Sequence, residues 1–164
     1  MADIVDSQTR SRMMAAIRGK DTKPEMVLRH ALHAHGFRYR LHARDVPGRP
    51  DLMLAKHRAV IFVHGCFWHR HEGCRYATTP ATRFEFWTAK FAANVRRDRA
   101  ACDALAERGW RVATAWECAL RRTAHITATC DALVSWLTAG VTNIKIGEVD
   151  LAASADESST ASVF

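Results

Sequence analysis

Apolar residues recur at helical spacing between residues 23 and 35, and Gly36 marks the end of this predicted helix. The apolar residues that follow alternate with basic ones, which predicts a strand over residues 37–41. Two further apolar runs, at residues 51–54 and 59–63, follow short turns and predict a second and a third strand. The first part of the chain therefore predicts one helix followed by three short strands.

The rest of the chain shows longer periodic segments after an irregular stretch at residues 64–82. Helical spacing extends from about residue 83 to 108, a fourth strand covers 110–116, and a last helix covers 123–137. The predicted apolar face of the long helix consists of Phe84, Trp87 or Thr88, Phe91, Val95, Cys102 and Leu105. This order of elements predicts an α/β fold, a mixed sheet flanked by helices.

Differences in composition divide the chain into three parts. Residues 1–20 form a basic N-terminal arm with a short helix, whose apolar face would consist of Met13, Met14 and Ile17. Residues 21–140 contain the periodic segments and form the predicted globular domain. Residues 141–164 lose the hydrophobic pattern, and their polar low-complexity end, Ser154 to Ser162, predicts a disordered tail.

The charge of the chain indicates a class of partner. Its formal net charge is +7 and its isoelectric point is about 9.6, which favours a polyanion such as a nucleic acid. The sequence has no apolar run long enough to predict a membrane span, and its N-terminus has acidic residues where a signal peptide has basic ones. We therefore expect a cytoplasmic protein with no membrane partner.

The five cysteines favour metal binding, because an odd number in a cytoplasmic protein does not fit a disulfide framework. Cys66, His71 and Cys74 lie in the loop after the third strand, and Cys118 follows the fourth strand. Neighbouring strand ends would bring these four side chains together as the closed ligand set of a structural zinc. His69 is the alternative to His71 as histidine ligand, and unrelated buried thiols are the alternative to a metal site.

A second group of polar residues suits the hydrolysis of a phosphodiester. Asp51 opens the second strand, His64 follows the third, and His69 lies in the next loop. A carboxylate can hold Mg²⁺, and a histidine with a near-neutral pKa can move a proton. Glu25, in the first turn of its helix, would add a second carboxylate through water. Taken singly, Asp51 is also typical of a turn and His64 of a hydrogen-bonded buried histidine, so the prediction depends on their combination.

Five blocks of sequence resemble the very short patch repair (Vsr) DNA mismatch endonucleases, and the resemblance runs from about residue 7 to 140. The blocks are Arg49-Pro50-Asp51, Val60 to His69, Pro80 to Trp87, Gly109 to Val112, and Trp116 to Leu120. The resemblance implies a restriction-endonuclease-like fold with a structural zinc and an active site that uses Mg²⁺. It also implies that residues 21–140 form an endonuclease domain. Such an enzyme nicks 5′ of the T in a T·G mismatch, which arises from deaminated 5-methylcytosine within CT(A/T)GG.

The resemblance assigns roles to individual residues. The implied Mg²⁺ ligands are Asp51 and the Val63 backbone carbonyl, and the implied catalytic residues are Asp51, His64, His69 and Glu25, the last through metal-bound water. The implied zinc ligands are Cys66, His71, Cys74 and Cys118. The aromatic residues implied to enter the base stack are Phe67, Trp68 and Trp87, and those implied to face the mismatch are Lys90 and Asn94.

The aromatic residues also make physical sense at a mismatch. Phe67 and Trp68 stand among charged residues of a loop, where burial in a core is awkward, and inserting them between base pairs costs least where stacking is weak. For Trp87, on the long helix, a core position is the alternative. Met14 and Ile17 of the arm would contact the minor groove, and a helix that only anchors the fold is the alternative.

Two other classes of protein share some of these features. A non-catalytic zinc DNA-binding module would need the zinc and the positive charge, but neither Asp51 and His64 nor Mg²⁺. A restriction enzyme of the same fold would cut both strands, but the sequence shows no second catalytic centre and no dimer helix. We therefore expect a monomer that acts on mismatched double-stranded DNA in the nucleoid, with downstream repair proteins as further partners.

Overall fold

The computed structural model describes residues 5–152 and shows a five-stranded sheet with helices on both faces. The helices are α1 (Ser7–Ala16), α2 (Lys23–Ala34), α3 (Phe84–Glu107) and α4 (Thr123–Ala139). The strands are β1 (Arg40–Leu41), β2 (Leu52–Leu54), β3 (Ala59–His64), β4 (Arg111–Trp116) and β5 (Ile144–Ile146). Short 3₁₀ turns follow β2 and β4, at Ala55–His57 and Glu117–Leu120. The predicted mixed α/β class is confirmed.

The sheet has the strand order β1-β2-β3-β4-β5. β1, β2 and β3 are antiparallel neighbours, whereas β3, β4 and β5 are parallel. Parallel neighbours need a crossover, which α3 provides between β3 and β4 and α4 provides between β4 and β5. The register pairs His64 with Trp116, the last residues of β3 and β4. The loops that leave these two strands therefore begin side by side.

Alternate residues of β3 belong to two different cores, as the two-residue period of a strand requires. Ala59 and Ile61 pack with α2 and α4, in a core that also contains Leu28, Leu32, Leu133, Trp136 and Leu137. Val60 and Phe62 pack on the opposite face with Met53, Val112 and, from α3, Leu105. A strand that is buried on both faces holds its C-terminal end in a fixed position, and the candidate site is built there.

The N-terminus of α2 is organised by the side chain of Glu25. The helix begins after Thr22, and Pro24 stands in its first turn, where its missing amide hydrogen bond costs nothing. The Glu25 carboxylate accepts hydrogen bonds from the Asp21 amide and the Thr22 hydroxyl, each at 3.0 Å. These bonds orient Glu25, which is buried, at the end of α2 that borders the candidate site.

The first predicted strand is shorter in the structure than in the sequence analysis. Of residues 37–41 only Arg40–Leu41 pairs with the sheet. Phe37 is held in the turn that closes α2, and the Tyr39 hydroxyl donates a hydrogen bond to the Arg29 carbonyl at 2.8 Å. These contacts hold residues 37–39 against α2, although their alternating pattern is typical of a strand.

α3 does not bury one continuous apolar face. Phe84 and Val95 of the predicted face are exposed, whereas Trp87, Phe91 and Leu105 are buried. The C-terminal half of α3 packs on the sheet through Leu105, and its N-terminal half packs on the loop after β3 through Trp87 and Phe91. The apolar face changes along the helix because its two halves contact different partners.

The sheet continues beyond residue 140, where the sequence analysis ended the domain. β5 pairs with β4 at the edge of the sheet, and Ile146 is buried there. The Asn143 side chain accepts a hydrogen bond from the Val112 amide at 2.9 Å. A strand of three residues is too short to show a period, which is why the pattern predicted a tail. The segment predicted to be disordered, residues 154–162, lies outside the described residues.

α1 is a surface helix that buries none of its residues. Asp6 caps it by accepting a hydrogen bond from the Thr9 amide at 2.8 Å. Met13 and Ile17 are exposed and Met14 is half-buried, so the arm does contain the predicted helix. Its contact with DNA stays a prediction. Within residues 5–152, no helix is long and apolar enough to cross a membrane.

Candidate active site and metal centre

A cleft of ≈ 1240 Å³ opens beside the C-terminal end of β3. All the residues predicted to be catalytic line it: Glu25, Asp51, His64 and His69. Of the residues predicted to contact DNA, the cleft is lined by Ile17, Trp68, Lys90 and Asn94. The structure therefore gathers most of the predicted site around one opening.

Asp51 is held in the cleft by the strand beside it. Its Oδ2 accepts a hydrogen bond from the Val63 amide at 2.7 Å. Burial raises the pKa of Asp51 to about 6, against the effect of the Val63 hydrogen bond, and the Glu25 carboxylate raises it further. A carboxylate that ionises with difficulty gains most from a nearby cation, so Asp51 suits a metal ligand. A contribution of the Val63 carbonyl stays a prediction.

His64 and His69 stack face to face, with ring centroids 3.8 Å apart and planes at 5°. A turn in which the His69 amide donates to the Gly65 carbonyl brings the two rings together. Burial lowers the pKa of His64 to about 3, with His69 acting in the same direction, so His64 is neutral at pH 7. Asp98 of α3 lies 2.6 Å from Nδ1 of His69. Since a carboxylate accepts, Nδ1 carries the proton and Nε2 is left for proton transfer.

Arg29 is a buried arginine that connects several polar residues of the cleft. Its guanidinium donates to Asp21 at 2.7 Å and to Glu25 at 2.9 Å, and it lies 2.9 Å from Nε2 of His42. Because arginine only donates, Nε2 of His42 is the acceptor and Nδ1 carries the proton. That Nδ1 lies 3.9 Å from Asp51. The network fixes Glu25 and places a permanent positive charge near both carboxylates.

The aromatic residues after β3 pack against the start of α3. Phe67 contacts Trp68, Trp87 and Phe91 edge to face, with ring centroids 5.0, 5.6 and 5.1 Å away. Trp87 is only 7 % exposed, whereas Phe67 and Trp68 are half-buried. In this structure Trp87 therefore occupies the core position that the sequence left open, and it supports the two aromatic residues of the loop.

Lys90 and Asn94 lie beside Trp68. They follow Trp87, which supports Trp68, by one and two turns of α3. The Lys90 ammonium is 5.2 Å from the centroid of the Trp68 ring, and the Asn94 side chain donates to the Trp68 carbonyl at 3.0 Å. These contacts hold Trp68 at the edge of the cleft. A cation, an amide and an indole thus form one surface next to the stacked histidines.

A cluster of three cysteines and one histidine lies on the loops after β3 and β4. Its members are Cys66, His71, Cys74 and Cys118, whose ligand atoms all lie within 4.8 Å of one another. Nδ1 of His71 is 3.6 Å from the sulfur of Cys66 and 3.5 Å from that of Cys118. A tetrahedral zinc with ordinary Zn–N and Zn–S bonds separates such ligands by ~3.5 Å. The donor set and its spacing therefore fit a structural zinc.

The structure separates the two histidines that the sequence left as alternatives. The His71 ring stacks on Trp116, with centroids 4.2 Å apart, and its Nδ1 faces the sulfurs. His69 instead binds Asp98, away from the cluster.

A hydrogen bond from the Cys66 thiol lowers the pKa of Cys118 to about 5 and correspondingly raises the pKa of Cys66. All five cysteines are free thiols in this structure.

Sequence reasoning missed three residues: Arg29, which contacts residues that line the cleft, and His42 and Asp98, which line it themselves. Arg29 and His42 are separated in the chain and meet only in the folded protein, so no local sequence pattern indicates their contact. Asp98 had a weak signal, because Lys90, Asn94 and Asp98 are spaced by four and so share one face of α3. The two residues predicted to face the mismatch thus pointed to a third on the same face.

The sequence matches known proteins over most of its length. Residues 2–75 match the family model described as DNA mismatch endonuclease Vsr. The chain is 45 % identical over 139 residues to the DNA mismatch endonuclease Vsr of Escherichia coli (strain K12), which covers 84 % of this chain and 88 % of the relative. It is 46 % identical over 120 residues to the type II nicking enzyme V.XorIIP of Xanthomonas oryzae pv. oryzae. That alignment covers 73 % of this chain and 88 % of the relative. The chain therefore belongs to the Vsr DNA mismatch endonuclease family.

Proposed function

We propose that this protein is an endonuclease that nicks double-stranded DNA on the 5′ side of the T in a T·G mismatch and so starts very short patch repair. Its relatives are named as a mismatch endonuclease and as nicking enzymes, which supports this reaction class. The observation that carries the proposal is a single cleft lined by Asp51, by the stacked histidines and by Trp68. The proposed source of the mismatch is deaminated 5-methylcytosine in a CT(A/T)GG-like context.

The carboxylates of the cleft are proposed to hold a catalytic Mg²⁺. The ligands would be Asp51 and the Val63 carbonyl, and Glu25 would hold metal-bound water. The ion would neutralise charge on the phosphate and favour a nucleophilic water. The chain itself fixes the positions of these groups, because the Val63 amide holds Asp51 and Arg29 holds Glu25.

The stacked histidines are proposed to serve the proton transfer of the reaction, His69 by moving a proton and His64 by hydrogen bonding. His69 takes or gives a proton at Nε2, and Asp98 stabilises the positive charge that forms on its ring. His64 stays neutral because its pKa is low, so it does not repel the charged ring of His69. His64 can then donate or accept a hydrogen bond in the cleft without changing its charge.

Recognition of the mismatch is proposed to come from the aromatic residues and not from the net charge. Positive charge binds any duplex through its phosphates. Trp68, with Phe67 and Trp87 behind it, would enter the base stack where a wobble pair stacks weakly. Lys90 and Asn94, on the same side as Trp68, would contact the mismatched bases. Met14 and Ile17 of the arm would hold the minor groove.

The remaining parts of the proposal concern the scaffold. We propose that Cys66, His71, Cys74 and Cys118 bind a structural zinc and that the mixed sheet is of the restriction-endonuclease-like type. The protein would act as a monomer in the cytoplasm, on nucleoid DNA, and hand the nick to downstream repair proteins. The domain would extend to β5 and beyond residue 140.

The deciding experiment is incubation of the purified chain with Mg²⁺ and a duplex with one T·G mismatch, with its two strands labelled separately. We expect a nick in the T strand alone, 5′ of the T, and no cleavage of a matched T·A duplex. Asp51→Asn should remove nicking and keep mismatch binding. Asp45→Asn, which changes an exposed carboxylate paired with Arg40, should retain both.

Two outcomes would replace the proposal with one of its alternatives. Cleavage of both strands would identify a restriction enzyme. Binding of DNA without cleavage, under any divalent cation, would identify a zinc DNA-binding module.

A further inference from the structure

The segment after β5 covers the cluster of cysteines and histidine. β5 pairs with β4 so that Ile146 lies beside Ala115, and the chain leaves the sheet next to the turn that carries Cys118. Gly147 is buried at this point, and a helical turn begins at Glu148. The segment from Gly147 to Asp150, which we call the C-terminal clamp, therefore lies directly over the cluster.

Two contacts of the clamp are made by its backbone with members of the cluster. The Glu148 amide donates a hydrogen bond to the sulfur of Cys118 at 3.3 Å. Gly147 lies against the ring of His71, so closely that a Cβ at this position would be 2.5 Å from Cε1 and 2.8 Å from Nε2. A side chain at Gly147 would therefore force the His71 ring to shift. The two contacts reach one sulfur and the one imidazole of the cluster.

Two further contacts hold the clamp in place. The Asp150 carboxylate accepts a hydrogen bond from the Gly147 amide at 2.6 Å, which closes the turn. Arg75, next to Cys74 in the chain, forms an ion pair with the Glu148 carboxylate at 3.3 Å. The clamp is thus stabilised by a hydrogen bond within it and by an ion pair to the loop that carries most of the cluster.

We propose that the C-terminal clamp is the outer shell of the metal centre, which orients Cys118 and His71 and slows the release of the metal. The inference rests on the zinc ligand set of the proposed function. Three thiolates carry more negative charge than one Zn²⁺ neutralises, and an amide that donates to a sulfur reduces this excess. Groups that contact metal ligands in this way commonly change metal affinity by about 10- to 100-fold.

Coupling between the clamp and the metal is reciprocal. If the clamp stabilises bound metal, bound metal stabilises the clamp. Removing the metal should therefore speed hydrogen exchange in residues 144–150 more than in β3, which is buried on both faces.

The first test removes one backbone amide and uses a control for the side chain that is lost with it. In Glu148→Pro the N–H that binds Cys118 is lost, and proline suits the first residue of a helical turn. Glu148→Ala loses the same carboxylate but keeps the amide, so it is the matched control. We expect zinc to pass to a chelator about tenfold faster from Glu148→Pro than from Glu148→Ala. Equal rates would overturn the inference.

The second test acts on His71 and needs no change at Glu148. Gly147→Ala places a methyl group against the imidazole, whereas Gly19→Ala, a control in open space, meets nothing within 4 Å. With Co²⁺ in place of zinc, the thiolate-to-cobalt absorption band reports the ligand geometry directly. We expect Gly147→Ala to shift this band and to weaken Co²⁺ binding by about tenfold or more, while Gly19→Ala matches the parent.

The outcomes separate the clamp from the metal site itself. A parent protein that retains zinc, with a Gly147→Ala variant that binds and absorbs like Gly19→Ala, would overturn the clamp and leave the ligand set intact. A parent that is folded and holds no zinc would overturn the ligand set, and the clamp with it. T·G nicking, measured separately, bears on the proposed function alone.

Discussion

Asp51→Asn should stabilise the protein at pH 7 in the absence of Mg²⁺, although we expect it to abolish the proposed nicking activity. Burial raises the pKa of Asp51 from 3.8 to about 6. When the pKa of an acid is higher in the folded than in the unfolded chain, the acid contributes its full stabilisation only at a pH below its pKa in the unfolded chain. This stabilisation is lost as the pH rises through its pKa in the folded chain. At pH 7 the folded chain therefore holds an unfavourable charge. An asparagine has nearly the same shape, can still accept the Val63 hydrogen bond and carries no charge.

The size of the effect follows from the pKa. A shift of about two units, at 1.36 kcal/mol per unit, corresponds to about 3 kcal/mol. The Asp51 side chain is 16 % exposed, so water screens only part of this. We expect Asp51→Asn to raise the free energy of unfolding at pH 7 by about 2–3 kcal/mol. As the pH falls from 6 to 4, Asp51 becomes protonated in the folded chain, and most of the difference between the parent and the variant should disappear.

The assay is urea unfolding of the parent and the variant between pH 4 and 8, without Mg²⁺ and with zinc retained. Asp45→Asn is the control, because a hydrogen bond from Arg40 lowers the pKa of Asp45 and its removal should bring no gain. Mg²⁺ should then stabilise the parent and not Asp51→Asn, which distinguishes a metal ligand from a merely buried acid. A gain that does not depend on pH, or a loss at pH 7, would refute the reasoning.

The remaining predictions concern the histidines, the tryptophan and the metal. Asp98→Asn should slow single-turnover nicking roughly 10- to 100-fold, because a hydrogen bond to a charged group contributes ~1.5–3 kcal/mol. Asp98→Glu should recover part of this rate. Asp103→Asn changes an exposed carboxylate on the same helix and should leave the rate unchanged. Trp68→Ala should lose roughly 1–3 kcal/mol of affinity for a T·G duplex and much less for a matched one, measured at one salt concentration; equal losses would exclude insertion. His71→Ala should release zinc, whereas His69→Ala should retain zinc and lose nicking, and the reverse result would exchange their roles.

The parts of the site that could be predicted from the sequence lie close together in the chain. Cys66, His71 and Cys74 occupy one loop, and Cys118 follows the next parallel strand, so the sheet alone brings the four residues together. The same argument placed Asp51 near His64, because antiparallel strands joined by a short turn have their ends side by side. Spacing and strand order were sufficient there, since each contact crosses only one pair of neighbouring strands.

The parts that could not be predicted depend on packing between distant elements. Arg29 and His42 meet only because residues 37–39 pack on α2, whereas their alternation is typical of a strand. Phe84 is exposed because the N-terminal half of α3 contacts a loop and not the sheet. β5 carries too few residues to show a period, and its pairing with β4 depends on where α4 ends. None of these contacts leaves a trace in the local order of residues.

In the proposed function, the loop after β3 carries residues for recognition, catalysis and metal binding within a short stretch of the chain. Its backbone folds in successive turns, since the His69 amide bonds to the Gly65 carbonyl and the His71 amide to the Cys66 carbonyl. These turns direct His69 to the cleft and His71 to the sulfurs, on either side of a short segment. Loss of the proposed metal should therefore loosen the loop that positions the His69 ring, without removing any residue proposed to contact DNA. On this proposal, a structural metal would control the geometry of the proposed proton-transfer residue His69 without contacting it.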